Sequence, residues 1–146
     1  MREGGMRRRA VSGGGDGLVK LWDLQDGREL LSMAGHTAEV VCVQFNSSVM
    51  VSGSTDSKIR VWNYQGRCQW VLEDHIGVVR CLCLRGDRLV SGGDRKRIVV
   101  WDVKNGEKLH AVHRQQSLLH RMLVTDTKII TASPDSPGTI SIISYW

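Results

Sequence analysis

The sequence predicts an all-β fold built from repeated four-stranded antiparallel sheets, and three patterns lead to that prediction. The segment from Ser52 to Asn63 recurs almost letter for letter at 12–23 and at 91–102, which makes the chain self-similar at a period of about 40 residues. Short apolar runs separated by Gly, Asp, Asn and Ser continue from Ala10 onward, without a long stretch of helical periodicity. Proline occurs only twice, which leaves the hydrogen bonding of sheets uninterrupted.

Four strands account for each full period. In the second repeat we predict strands near 40–45, 49–53, 58–63 and 68–72, and in the third near 79–84, 88–92, 97–103 and 108–112. The fourth repeat continues with 119–124, 128–132 and 139–144, and the first contributes three strands. The expected organisation is a disordered basic leader at 1–9, followed by one segment, 10–146, with units at 10–34, 35–73, 74–112 and 113–146.

Apolar residues occupy both faces of these strands, as Ile59, Val61 and Trp62 illustrate for the third strand of the second repeat. Both faces of each small sheet must therefore be covered. Neighbouring sheets provide that cover when they stack, and four strands in a period of about 40 residues are typical of the blades of a β-propeller. The predicted fold is a partial β-propeller of about three and a half blades, which is an incomplete ring.

The repeated residues resemble those of the WD-repeat family of β-propeller proteins. The resemblance covers about residues 10 to 144, and its motifs are the Gly35-His36 pair, the Ser-Gly of the second strand, the Asp of the next turn, and the Trp-Asp or Trp-Asn that closes the third strand. In the family, a His, a Ser or Thr, an Asp and a Trp form one hydrogen-bonded line within a blade. The resemblance therefore implies such a line here at His36, Ser52, Asp56 and Trp62.

The third blade keeps this set only in part. It has the corresponding His75, Ser91 and Trp101, but Asp74 stands where a Gly would precede the His. At the position of the turn Asp there is Arg95, with Asp94 one residue earlier. We therefore expect the complete line only in the second blade, which should be the best-ordered part of the chain.

Once this network is assigned, no motif remains that indicates catalysis or metal binding. A Ser, a His and an Asp also suggest a hydrolase triad, but here the set recurs once per blade and ends on a Trp, which favours a structural role. The cysteines, Cys42, Cys68, Cys81 and Cys83, lack the spacing of a zinc site. We expect no catalytic residue, no metal and no cofactor, and hence a protein that is not an enzyme.

Charge and hydropathy limit the classes of partner and the cellular compartments that we expect for this protein. The formal net charge is +5, and the arginines of the leader supply most of it, so that the body is nearly balanced. A nucleic-acid-binding domain would carry a broader basic footprint. No segment approaches the roughly 18 consecutive apolar residues of a membrane span, and the first residues lack the apolar core of a secretory signal. We expect an intracellular protein, cytoplasmic or nuclear, without a membrane partner.

Three and a half blades do not close a ring of the usual WD-repeat size. An open array leaves two apolar blade faces in water, which favours aggregation. We therefore expect the chain to be the C-terminal portion of a larger propeller, truncated at its start, or else to have its ring completed by a second chain.

The predicted function is a non-catalytic protein-interaction scaffold or substrate-recognition module. In the family, recognition uses the face made by the loops before first strands and the turns between second and third strands. We call the matching residues the candidate binding face: Thr37, Glu39, Thr55, Ile76, Asp94, Arg95, Lys96, Arg97 and Arg114. Its basic members could form a rim that captures an acidic or phosphorylated peptide.

Two finer interpretations remain open. Short hairpins at 46–48, 85–87 and 125–127, with Val-Ser-Gly in three blades, are similar to the propellers of F-box proteins that select substrates for ubiquitin ligases. No F-box helices accompany them, so we do not expect this chain to dock to a ligase by that route. The alternative from another class is an RNA- or ribonucleoprotein-associated protein that binds through the arginine leader and the basic loops.

Overall fold

The computed structural model describes residues 8–95, 97–113, 119, 121–133 and 139–144, and these form fourteen β-strands. No helix occurs in this part of the chain, and hence none that could cross a bilayer. The first two sheets contain β1 (Arg9–Gly13), β2 (Val19–Asp23) and β3 (Arg28–Met33), then β4 (Val40–Phe45), β5 (Met50–Ser54), β6 (Lys58–Trp62) and β7 (Cys68–Glu73). The last two contain β8 (Val79–Arg85), β9 (Arg88–Gly93), β10 (Arg97–Asp102) and β11 (Glu107–His113), then β12 (Arg121–Val124), β13 (Lys128–Ser133) and β14 (Thr139–Ser144).

Each sheet is a meander in which consecutive strands pair antiparallel, and we number the sheets as blades 1 to 4. Blades 2 and 3 have four strands, and blades 1 and 4 have three. The described residues form no closed ring. The predicted all-β class and the partial propeller are therefore confirmed.

Most strand ends differ from the prediction by one or two residues, and two of the differing boundaries have a local explanation. The strand expected from 49 begins at Met50, because the Asn46 side-chain oxygen accepts hydrogen bonds from the Ser48 and Val49 amides at 2.8 and 3.0 Å and keeps this stretch in a turn. The leader predicted at 1–9 is too long, because Arg9 already pairs with Asp23 in β1. Residues 1–7 lie outside the part of the chain that is described.

The apolar residues of facing blades form three cores, one at each junction between blades. Val19 and Leu21 of blade 1 pack with Val40, Met50 and Trp62 of blade 2. A second core joins blades 2 and 3, and a third joins blade 3 to blade 4 around Val124 and Ile129. Each blade is therefore stabilised by burial against its neighbours and not by a core of its own.

The glycine of the second strand sets the spacing at these junctions. A Cβ on Gly53 would lie 2.8 Å from the Val79 side chain in the first strand of the next blade, which is closer than real Cβ contacts come. Gly13 and Gly92 meet Val40 and Leu119 in the same way. The Ser-Gly of the repeat is thus explained by the close approach of the following blade.

Candidate functional site

A line of buried polar side chains crosses blade 2 from its outer loop to its centre. His36, in the loop before β4, places Nδ1 2.8 Å from Asp56 Oδ2 and Nε2 2.7 Å from Ser52 Oγ. Trp62, at the end of β6, donates its indole N–H to the same Ser52 oxygen at 2.9 Å. The Trp62 and His36 rings meet edge to face at 6.4 Å. The four residues named from the sequence therefore form one continuous network in the structure.

The chemistry of the groups assigns a direction to each of these hydrogen bonds. The Asp56 carboxylate can only accept, so the neutral His36 ring carries its proton on Nδ1 and donates it there. His36 Nε2 must then accept, and the Ser52 hydroxyl donates to it while receiving the proton of the Trp62 indole. Every buried polar group along the line is satisfied.

The turn between β5 and β6 holds Asp56 in place. Its carboxylate accepts hydrogen bonds from the Lys58 amide at 2.9 Å and the Thr37 amide at 3.1 Å, in addition to the His36 ring. Burial acts to raise the pKa of Asp56, but these bonds outweigh it, so that the pKa lies below its ordinary value. Asp56 is therefore a charged anchor that joins the loop before β4 to the turn after β5.

Burial also keeps His36 neutral. Desolvation lowers the pKa of His36 below 6.5, and although Asp56 acts in the opposite direction, the net shift is downward. Ser52 is fully buried in the middle of a strand whose residues are all buried, and its oxygen is already engaged by two partners. The hydroxyl has no path to a substrate, so the network stabilises the blade and does not provide a nucleophile.

Blade 3 repeats the centre of this line without its acid. His75 Nε2 lies 2.7 Å from Ser91 Oγ, and the Trp101 indole donates to that oxygen at 2.8 Å. Burial is the main reason that the pKa of His75 falls to about 4; nearby Asp74 raises it and Arg97 lowers it. His75 is thus neutral at physiological pH.

The acids near His75 are engaged elsewhere. Asp94 forms an ion pair with Arg80, and the exposed Arg95 takes the position that corresponds to Asp56. Asp74, which replaces the glycine before the His, lies 2.7 Å from Arg97 Nε and 3.3 Å from Lys108 Nζ. An ion cluster therefore surrounds Asp74 at the position that Gly35 has in blade 2.

A difference of one residue on the third strand accompanies the presence of Asp74. In blade 2, the Arg60 guanidinium lies over Gly35, where a Cβ would be 2.8 Å from its Nη1, and also beside the Trp62 ring at 6.0 Å. In blade 3 the residue at the position of Arg60 is Val99, which leaves room for the Asp74 side chain. Aligning the repeats with one another reveals the change from arginine to valine at this position, whereas a search for motifs does not.

Comparison with known proteins agrees with the arrangement of the chain in repeated blades. Residues 27–63 and 66–102 match the family described as "WD domain, G-beta repeat". The chain belongs to the WD-repeat family. Each matched segment begins with the last strand of one blade and ends with the third strand of the next, so that one repeat in sequence links two neighbouring blades. WD-repeat proteins generally act as protein-interaction scaffolds.

Similar sequences occur in much longer WD-repeat relatives. They include Protein tipD of Dictyostelium discoideum (33% identical over 100 residues), Mitochondrial division protein 1 of Eremothecium gossypii (27% over 104 residues) and WD repeat-containing protein 37 of Xenopus tropicalis (28% over 133 residues). The matches cover 66%, 63% and 87% of this chain, but only 16%, 14% and 27% of those proteins.

Two computationally designed proteins have similar solved structures. The Ika8 protein superposes with a TM-score of 0.87 and 30% identity over 97% of this WD-repeat chain and 44% of its own. The Ika4 protein superposes with a TM-score of 0.85 and 28% identity over all of this chain and 96% of its own. These likenesses agree with the propeller arrangement of the four blades.

The candidate binding face lies at the edge of the blades where the anchored turns meet the preceding loops. Thr37 and Glu39 are exposed there, and the Thr55 amide donates to the Glu39 carbonyl at 3.0 Å. In blade 3, Ile76 is 69% exposed and Arg95 is exposed. Asp94 and Arg97 are occupied by the ion pairs described above, and Lys96 and Arg114 lie outside the described residues.

The cysteines lie within the fold and among apolar neighbours. Burial raises the pKa of the Cys42 thiol to about 12, and proximity to Cys81 adds to the effect. Such a thiol is a poor nucleophile and a poor metal ligand at neutral pH. Among the residues that the structure describes, no group of three or more His, Cys, Asp or Glu side chains could hold a metal ion.

Replacing Asp56 with asparagine tests the anchor in blade 2. We expect the free energy of unfolding in urea to fall by about 1.5–3 kcal/mol, because hydrogen bonds to a charged group are lost in a buried setting. Asp94→Asn is the matched control in blade 3, where a partly exposed ion pair should be worth less than about 1 kcal/mol. Equal losses for the two variants would contradict the special role of Asp56.

Proposed function

We propose that this chain is a cytoplasmic or nuclear interaction module that binds a protein partner across the candidate binding face of blades 2 and 3. The observation that carries the proposal is the pairing of a highly exposed aliphatic side chain, Ile76, with an exposed cation, Arg95. The two are held close, because the Asp94 amide donates to the Val78 carbonyl at 3.1 Å and joins their loop and turn. Arginine is enriched among the residues that dominate binding energy at interfaces. The exposed aliphatic side chain adds apolar area that a partner can bury.

The backbone around this face is well anchored, which favours binding. The Val40 amide donates to the Gly14 carbonyl at 3.0 Å, so the turn of blade 1 is tied to the loop of blade 2. Within blade 2, the Ser54 hydroxyl donates to the Glu39 carbonyl at 2.8 Å, and Asp56 anchors the same loop. Loops held in this way lose little conformational freedom when a partner binds.

The charge of the face suggests what it would recognise. Asp74 neutralises Arg97, and Asp94 is engaged by Arg80, so Arg95 is the described cation that remains directed to solvent on this rim. An acidic or phosphorylated side chain would complement it. Substrate receptors of the F-box and WD-repeat type, which select proteins for ubiquitin ligases, would use a face of this kind. As the finer function we propose that this chain is the substrate-binding part of such a receptor, without the F-box that docks to the ligase.

The alternative partner is RNA, and the position of the leader argues against a shared surface. Arg9 lies at the start of β1, at the end of the strand opposite the turn that faces the candidate binding face, and its guanidinium lies 5.5 Å from the Tyr64 ring centroid. Arg9 therefore lies on the far side of the blades from Arg95. One nucleic-acid strand would have to cross the blade edge to contact both.

Peptide binding measured by fluorescence polarisation tests the proposal. The probes are labelled acidic peptides with and without phosphoserine, and poly(U) RNA. We expect a phosphorylated peptide to bind and Arg95→Glu or Ile76→Glu to weaken it about tenfold or more. Arg28→Glu, an equal charge change at an exposed residue at the start of β3, should leave the affinity unchanged.

Two outcomes would contradict the proposal. One is peptide binding that Arg95→Glu and Ile76→Glu leave intact. The other is preferential binding of poly(U) with an affinity that falls steeply as salt rises, which is the behaviour of a site for nucleic-acid phosphates.

A further inference from the structure

Each of the first three blades presents an apolar set on its second and third strands to the blade that follows. These residues are almost completely buried in the three cores: Val19 and Leu21 in blade 1, Val51, Ile59 and Val61 in blade 2, and Val90, Ile98 and Val100 in blade 3. We call this side of a blade its outgoing face, and the opposite side, which receives the preceding blade, its incoming face.

Blade 4 has a corresponding outgoing face, on which no other blade of the described part of the chain packs. In blade 3 the cross-strand pairs are Val90 with Val100 and Gly92 with Ile98. In blade 4 the corresponding pairs are Ile130 with Ile142 and Ala132 with Ile140, and Leu123 lies beside Ile130.

The equivalent positions of blades 3 and 4 differ sharply in their solvent exposure. Ile140 is 74% exposed and Ile142 63%, whereas Ile98 and Val100 are at most 1% exposed. The other side of blade 4 is used normally, since Val124 and Ile129 pack on blade 3. The exposed isoleucines therefore occupy positions that form an interface between blades elsewhere in the chain, and they are not scattered surface residues.

Blade 1 carries the matching incoming face at the other end of the molecule. Val19 and Leu21 point toward blade 2, so the alternate residues Lys20 and Trp22 lie on the opposite side. The Trp22 indole donates to Ser12 Oγ at 2.9 Å, as Trp62 donates to Ser52 in blade 2. This incoming face is thus formed although no blade of the described residues lies in front of it.

We propose that two copies of the chain associate head to tail through these faces, blade 4 of each on blade 1 of the other, and close a ring of eight blades. One molecule contains both halves of an interface of the kind that it uses three times internally, with Ala132 at the position of Gly92 in blade 4 and with blade 1 beginning at the strand that corresponds to β5. The curvature is suitable, because the four blades superpose closely on 44% of the designed Ika8 propeller, so that two such arcs account for most of that structure. Eight blades lie within the range that propellers adopt.

The twofold symmetry of this ring gives it two identical interfaces and leaves neither face in water. The proposal is independent of which partner the candidate binding face recognises. It would, however, present that face twice, once on each half of the ring.

Sedimentation velocity of the purified chain tests the association. We expect a dimer, and we expect Ile142→Lys to raise its dissociation constant about a hundredfold or more, because one substitution places a charge in both interfaces. Ile76→Lys is the matched control, since Ile76 is 69% exposed in a loop away from the blade faces. It should leave the dimer intact. A wild-type monomer at all accessible concentrations would overturn the proposal.

A second variant distinguishes a head-to-tail ring from contact between two copies of blade 4. Ala10→Glu changes the incoming face of blade 1, where Ala10 pairs with Trp22. In the proposed ring it also produces monomers. A dimer that survives Ala10→Glu but not Ile142→Lys would show contact between the two outgoing faces and overturn the ring.

A mixing experiment provides a positive readout and a check on folding. An equimolar mixture of Ile142→Lys and Ala10→Glu, each monomeric alone, should form a dimer. One interface then keeps both native faces, and the other brings a lysine opposite a glutamate. Failure to recover a dimer from two variants that retain the wild-type circular dichroism spectrum would contradict the head-to-tail arrangement.

Discussion

Replacing Trp62 with alanine should lower the free energy of unfolding by about 3–5 kcal/mol, as truncations of large aromatic residues in cores do. The side chain is 2% exposed and lies in the core between blades 1 and 2. Its loss also removes the N–H that binds Ser52. The stability of a domain is about 5–15 kcal/mol in total, so this one change should consume a large share of it.

Trp70→Ala is the control for residue type. Trp70 lies on the outer strand β7 and is 38% exposed. It covers Gly106 in the turn after β10, where a Cβ would overlap the indole ring, so it contributes to the junction with blade 3. We expect a loss of about 1–2 kcal/mol from its partial burial. Equal shifts of the urea midpoint at unchanged slope would contradict the ranking.

Acid should destabilise the fold through His75 well above the pH at which carboxylates titrate. The pKa of His75 is about 4 in the folded chain because the ring is buried, against 6.5 for the ordinary residue. Above pH 6.5 the ring is neutral in both states and has no effect. As the pH falls from 6.5 to about 4, the unfolded chain takes up a proton that the folded chain refuses, and stability falls by about 1.4 kcal/mol per pH unit.

Urea unfolding at about pH 7.5 and about pH 5 measures this effect against His75→Gln. The wild type should lose about 2 kcal/mol more than the variant between the two conditions. His36, whose pKa is also lowered, contributes in the same direction and is present in both proteins. Asp56 titrates below this window, since its pKa is depressed. Identical losses for wild type and variant would show that His75 is protonated in the folded state.

Self-similarity of the sequence was sufficient to predict the strands and the propeller. The triple recurrence around Trp22, Trp62 and Trp101 sets the period, and apolar residues on both sides of each strand require stacked sheets. The members of the buried line in blade 2 could be named from the resemblance to the WD-repeat family, with which the hydrogen-bonding roles of these residue types agree. Local pattern and tertiary packing agree at these positions, which is why they can be predicted.

Interactions between strands that differ from blade to blade could not be predicted in this way. Asp74 engages Arg97 in a blade that has Val99 where blade 2 has Arg60, so the cation expected on the basic rim is neutralised. In the sequence, the apolar pattern of β14 resembles that of the other strands, so it does not predict that its isoleucines are exposed. Their exposure becomes evident only from the position of blade 4 at the end of the row of blades, where no further blade of the described residues packs on it.

The glycine of each second strand has a consequence for how the molecule folds. Because the side chain of the following blade occupies the space beside Gly13, Gly53 or Gly92, a blade reaches its native packing only once its successor is in place. Stability then depends on nearest-neighbour coupling along the row, and it grows with the number of consecutive blades. Blades 2 and 3, which have a neighbour on both sides among the described residues, should therefore be the most stable part of the row.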